Sequence, residues 1–222
     1  MCSSDLTGNI LVIANALHPS NQTEWSLPTP SAFSESEIRT LTEWVRQGGS
    51  LFLIADHMPF PGAGEKLAAV FGIKFYNGFA VGKKETGDPD LFTPNHGLHE
   101  SVLTEGRSQE EKVTSIQTFT GQAFEIPANA KPIVVLDSSF QLLLPKTAWK
   151  FDTLTTVLPA KNLVQGAFLN YGKGRVVVFG EAAMFSAQIQ QGKILMGMNA
   201  PTAGQNPQFL LNVIHWLDRK LD

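Results

Sequence analysis

Short apolar runs and amphipathic stretches alternate along this chain, and the apolar runs stop abruptly on polar residues. Residues 9–14 (NILVIA) are a continuous apolar run rich in β-branched side chains, the pattern of a central strand covered on both faces. Asn15 and His18 lead from it into a loop rich in Pro, Ser, Thr and Asn. Ser34 and Glu37 then match a capping box, with Phe33 and Ile38 at the staple positions, which predicts a helix buried through Ile38, Leu41 and Val45 and closed by Gly48-Gly49. The chain re-enters the sheet at Leu51, in a run that ends on Asp56-His57. Further patterning predicts a helix over 64–71 stopped by Gly72, strands over 73–76, 113–118 and 132–136, and a strand over 141–145 that pairs with the last of these. Residues 164–171 and 175–179 flank Gly172-Lys173-Gly174, a hairpin signal, and the second arm ends on Gly180-Glu181. Asn206 is read as the cap of a final helix with Pro207 at its first position, and its apolar face is Phe209, Leu210, Val213, Ile214 and Leu217. Residues 77–111 show little periodicity, as a functional loop, a lid or an unread element would.

Strands alternating with helices predict an α/β fold: a three-layer α/β/α sandwich, flavodoxin-like, around a mostly parallel sheet, with a C-terminal β-hairpin and a final helix. Ligands of open parallel sheets bind beyond the carboxyl ends of the strands. Asn15, Asp56, His57 and Glu181 all fall there. A strand extended through Asp56 and His57 sends the two side chains to opposite faces, so only one reaches a shared crevice unless Met58-Pro59 turns the chain. A plainer reading stands beside this one. Acids and amides at strand ends cap turns and helices, as Glu181 would over 182–186, and His18, His96 and His99 then serve only their loops.

Composition bears on the partners. Only 17% of the 222 residues are charged, against about 25% in typical domains, and 43% are apolar, which places the chain among compact globular proteins. A net charge of −3 without any Lys/Arg run argues against a nucleic-acid partner or an anionic membrane and for a small neutral or weakly charged ligand. No run is long and apolar enough to insert in a membrane. The single cysteine, Cys2, rules out an internal disulfide or a cysteine-based zinc site. Gly62-Ala63-Gly64 lacks the third glycine of a dinucleotide fingerprint, Gly78 to Lys84 lacks the spacing of a phosphate loop, and no Gly-x-Ser-x-Gly elbow is present.

Two segments carry a resemblance, residues 44–57 (WVRQGGSLFLIADH) and residues 171–180 (YGKGRVVVFG). They resemble class I glutamine-amidotransferase-like domains, nearest to uncharacterised bacterial proteins grouped with gliding-motility auxiliary and intraflagellar-transport domains. Trehalose-utilisation-type and β-galactosidase trimerisation domains are more distant likenesses. The resemblance implies an amidotransferase-like fold, but the nucleophilic cysteine of true amidotransferases is missing from the body of the chain and Glu181 lacks the accompanying histidine. Glutamine hydrolysis therefore has no nucleophile. Residues 1–6 (MCSSDL) resemble translated sequencing adapter and are set aside as foreign, leaving 7–222 as one domain. The resemblance further implies a strand–helix unit ahead of Asn9. Its loss would remove part of the crevice and any export signal, leave localisation undetermined, and expose a sheet edge suited to a homodimer.

Two functions fit these residues. The first is a hydrolase or lyase acting on a small polar or sugar-like molecule, with His57 as general base, Asp56 as its orienting carboxylate, Glu181 as general acid and Asn15 as a substrate hydrogen-bond donor. In a sharper form His57, Asp56 and Glu181 hold a divalent metal. The second is a ligand-binding or assembly module without turnover, whose recognition loops carry Thr118, Thr120 and Asn199, with His18 as a further contact.

Overall fold

The structure is a computed structural model and describes residues 6, 8–83 and 89–222. Cys2, most of the segment read as foreign, and Lys84 lie outside the described residues. The first half contains β1 (Ile10–Ala14), α1 (Glu35–Gln47), β2 (Ser50–Ile54), α2 (Phe60–Ala69), β3 (Lys74–Phe75), β4 (Phe79–Gly82), β5 (Asp90–Phe92) and α3 (Val102–Glu105). The second half contains β6 (Ile116–Thr118), β7 (Phe124–Glu125), β8 (Lys131–Val135), β9 (Phe140–Leu144), β10 (Thr156–Pro159), β11 (Val164–Tyr171), β12 (Gly174–Phe179), β13 (Ala187–Gln190), β14 (Ile194–Gly197) and α4 (Asn206–Leu217). The result is a mixed α/β fold with a multi-strand sheet and few helices.

Seven strands form the main sheet in the order β1-β2-β12-β11-β7-β3, with β8 also on β11. The expected mostly parallel sheet needs correction: β1, β2 and β12 run parallel, but every other pairing, including β12 with β11, is antiparallel. The cause is the hairpin at Gly172, which puts two sequential strands side by side in the middle of the sheet. Gly172 has φ +60, and a Cβ there would meet the Arg46 carbonyl oxygen at 2.6 Å, so the turn needs glycine.

The capping box forms as the sequence predicts, with Ser34 Oγ accepting from Glu37 N and the Glu37 carboxylate accepting from Ser34 N at 2.9 Å. Alternation along β12 divides the core. Val176 and Val178 join Ile38, Leu41, Val45 and Leu67 on the α1 and α2 side, whereas Val177 and Phe179 join Phe209, Val213 and Trp216 on the α4 side.

Several elements differ from their sequence expectations. β1 is the outer strand of its sheet, with Val12 50% exposed, and is not covered on both faces. α2 starts at Phe60, earlier than residue 64, because Pro61 fits the first turn, where its missing N–H costs no hydrogen bond. β9 pairs with β4 and β10 in a separate three-stranded sheet, not with β8. The aperiodic 77–111 region contains β4, β5 and α3.

Candidate functional site

β1, β2 and β12 end together, and their register decides which polar groups meet. Ile54 lies opposite Phe179 in the parallel ladder, so Asp56 and Glu181, each two residues further on, leave the sheet as neighbours. Asn15, just past β1, takes φ +51, a left-handed conformation that asparagine tolerates. Its N–H donates to Ile54 O and its Oδ1 accepts from Asp56 N, both at 2.9 Å, so it clamps the ends of β1 and β2 together.

Both acids are buried, Asp56 at 8% exposure and Glu181 at 0%. Asp56 Oδ1 accepts from His57 N at 2.8 Å, and the Ala182 N–H also bonds this carboxylate. Glu181 accepts from Ala183 N through Oε1 and from Met184 N through Oε2, each at 2.8 Å, with a further backbone bond from Phe119. It therefore caps the short 3₁₀ turn Ala183–Phe185. Burial, with the Asp56 charge beside it, pushes the Glu181 carboxyl well above the usual range, against the pull of its three backbone donors. Burial also raises Asp56, with the nearby His57 opposing the shift.

A shelf of backbone and amides closes over the pair. Gly121 has φ +145, and a Cβ there would lie 2.3 Å from Gly180 O and 3.2 Å from Glu181 Cβ. Gln122, fully buried, accepts from Tyr76 N and donates to Ala55 O, while Gln165 donates to Gln122 O.

His57 goes elsewhere. Its ring stacks on Phe79 at 4.9 Å and 9°, meets Trp149 edge-on at 4.6 Å, and has Trp25 and Phe60 at about 6 Å. Its Nδ1 is 2.7 Å from Met58 O, and since a carbonyl only accepts, Nδ1–H donates. His57, Asp56 and Glu181 are therefore not assembled as a metal-binding trio. Among the described residues no group of three or more His, Cys, Asp or Glu side chains is placed to hold a metal ion. The Glu181 oxygens, bonded to backbone amides, are poor candidates for ligands, so the expected divalent-metal set does not fit.

The remaining candidates scatter. Thr118 is buried at the end of β6, opposite Asp90. His18 Nδ1 accepts from Ser20 N and caps the turn Pro19–Asn21, and Asn199 donates to Gln188 O and braces the β13–β14 hairpin. Thr120 reaches open space. It lines a cavity of about 200 Å³ walled by Phe79, Trp149 and Phe151, with Asp90 and Phe119 also on its surface. Trp149 and Phe151 are 54% and 45% exposed, and Phe151 lies edge-on to Phe79 at 5.2 Å. Sequence reasoning missed this aromatic wall. The available signal was two large aromatics, Trp149 and Phe151, in an otherwise polar loop.

Comparison with known proteins adds the fold. No family model and no curated protein matches the chain. Among solved structures it is similar to the "mmIFT52 N-terminal domain", with TM-score 0.65 and 16% identity over 97% of this chain and 80% of that one. It is also similar to cytoplasmic protein STM1381 from Salmonella typhimurium LT2, with TM-score 0.50 and 16% identity over 97% of this chain and 74% of that one. A thua-like protein from Bacteroides uniformis fits more loosely, at TM-score 0.46 and 10% identity, over 94% of this chain and 69% of that one. At such identities the first two likenesses speak for the fold alone.

Proposed function

We propose that this chain is a ligand-binding module, whose aromatic cavity takes the ring of a small polar, sugar-like molecule. One observation carries the reading. The acids expected to do chemistry are buried and bonded to backbone amides, whereas the open cavity beside them is walled by Phe79, Trp149 and Phe151. Aromatic faces stack on the C–H face of a ring, and the Thr120 hydroxyl among the lining residues offers a polar contact to the ring's hydroxyl groups. The packing of α1 and α2 on one side of the sheet and α4 on the other suits a flavodoxin-like, three-layer scaffold behind this cavity.

Calorimetric titration of the wild type and its variants with a monosaccharide panel tests the reading. Binding should weaken about tenfold or more in Trp149→Ala, the equivalent of about 1.4 kcal/mol, and persist in Glu181→Gln. Equal affinity in the wild type and Trp149→Ala would sink the proposal. The hydrolase or lyase reading keeps one observation of its own, the neighbouring carboxyls of which Glu181 holds its proton to unusually high pH, as a general acid must. Turnover of a sugar derivative that is abolished in Glu181→Gln would favour it.

A further inference from the structure

At the opposite end of the sheet, where β12 begins, a second site is built from a different chemistry. On β11, Phe168 and Asn170 are two residues apart and so share one face of the sheet. Their ladder partners are Lys131 on β8 and Arg175 on β12, so two cations from the flanking strands stand on that same face, one on each side of β11. The Arg175 guanidinium lies 4.9 Å over the Trp216 ring and Lys131 Nζ lies 5.8 Å over the Phe168 ring, with the two rings themselves edge-on at 5.0 Å. Both cations line a cavity of about 250 Å³, together with Asn129, Asn170 and Asp222.

The two cations are differently committed. Arg175 is largely buried, at 12% side-chain exposure, and donates to Trp216 O, to Leu221 O at 2.9 Å and to the Asp222 carboxylate. Three of its five N–H groups are used in this way, which leaves two. Lys131 pairs with no carboxylate among the described residues. Asp222, whose side chain is 83% exposed, is the single acidic residue lining the cavity.

We propose that this cavity binds a small organic carboxylate, with Lys131 and the remaining Arg175 donors as its charge partners and the Asn129 and Asn170 amides beside them. Asp222 already presents that chemistry to Arg175 from the protein itself. A cation over an aromatic face has little room for water on that side, which strengthens its attraction for an anion. The exposed Asp222 side chain then acts as a weak internal competitor, displaced when the ligand enters.

Calorimetric titration of the full chain with succinate, against sodium chloride at matched ionic strength, tests this. Succinate should bind where chloride does not. Lys131→Ala should weaken binding about tenfold, and Asp222→Asn should strengthen it about threefold by removing the competitor. Lys193→Ala, on the remote β13–β14 turn, should leave it unchanged. Heat identical to that of chloride, equal affinity in Lys131→Ala, or no gain in Asp222→Asn would each overturn the proposal. Circular dichroism of each variant separates lost binding from lost folding, and inorganic phosphate binding as tightly as succinate would overturn the preference for a carboxylate.

Discussion

Glu181 is the residue at which the structural and chemical readings part, and its removal has a calculable cost. Its side chain is fully buried and accepts from the amides of Ala183 and Met184 at 2.8 Å, and from that of Phe119. Glu181→Ala leaves these donors without their acceptor, and at about 1–3 kcal/mol for each unsatisfied buried group, with some relief from entering water, the loss should be about 3–5 kcal/mol. Glu181→Gln keeps one acceptor oxygen and turns an N–H₂ towards a donor, for a smaller loss of about 1–3 kcal/mol. A pH arm distinguishes burial from hydrogen bonding. The folded-state pKa of Glu181 is raised, so its contribution to stability is complete below the ordinary carboxyl range and declines as pH rises through the raised value. Glutamine does not titrate. The stability gap between wild type and Glu181→Gln should therefore narrow as pH rises above the ordinary carboxyl range, measured by urea unfolding followed by circular dichroism. A gap that widens would mean that Glu181 is ionised in the fold and that its backbone donors outweigh its burial. An alanine variant within about 1 kcal/mol of wild type would refute the capping role itself.

Other perturbations test the frame around it. Gly121→Ala combines a φ of +145 with a Cβ 2.3 Å from Gly180 O, and should cost more than about 2 kcal/mol in the same assay and disturb the shelf over Glu181. Ser34→Ala removes the cap of α1 and should cost about 1 kcal/mol, far from either cavity and without effect on ligand affinity. The outer edge of β1, with Val12 half exposed, should support self-association that Val12→Lys abolishes; light scattering that gives the same mass for both proteins would reject this.

What could be read from the sequence divides along a physical line. The α1 cap, its buried stripe and the Gly172 hairpin depend on residues within a few positions of one another, and the structure has them as patterned. Asn206, by contrast, which the sequence offers as the cap of the last helix, lies inside α4 and bonds the Gln117 backbone, leaving Gln205 at the N-cap. Strand order does not depend on near neighbours. The run NILVIA reads as a covered strand, yet its place at the sheet edge is set by which strands flank β2, and nothing within residues 9–14 records that. β9 likewise carries a strand pattern whose partners, β4 and β10, are distant in sequence.

The candidate site repeats that division at the scale of single side chains. Asp56 and Glu181 were legible as polar endings of apolar runs, and the parallel register of β2 and β12 makes them neighbours. The upward shift of both carboxyls follows from burial, which no short motif encodes. His57 stood out for the same reason as Asp56, but the rings it packs against, Phe79 and Trp149, come from remote segments that no pattern around residue 57 records. The same logic explains the silence of the sequence about Lys131 and Arg175, which are 44 positions apart and unremarkable individually. They share a cavity because β8 and β12 both pair with β11, placing them opposite residues that are themselves two positions apart on one strand. A sheet that mixes parallel and antiparallel neighbours therefore offers chemistry at both ends. Buried acids and an aromatic cavity lie where the parallel strands finish, and cations lie where β12 begins, so a ligand at either end can be tested without disturbing the other.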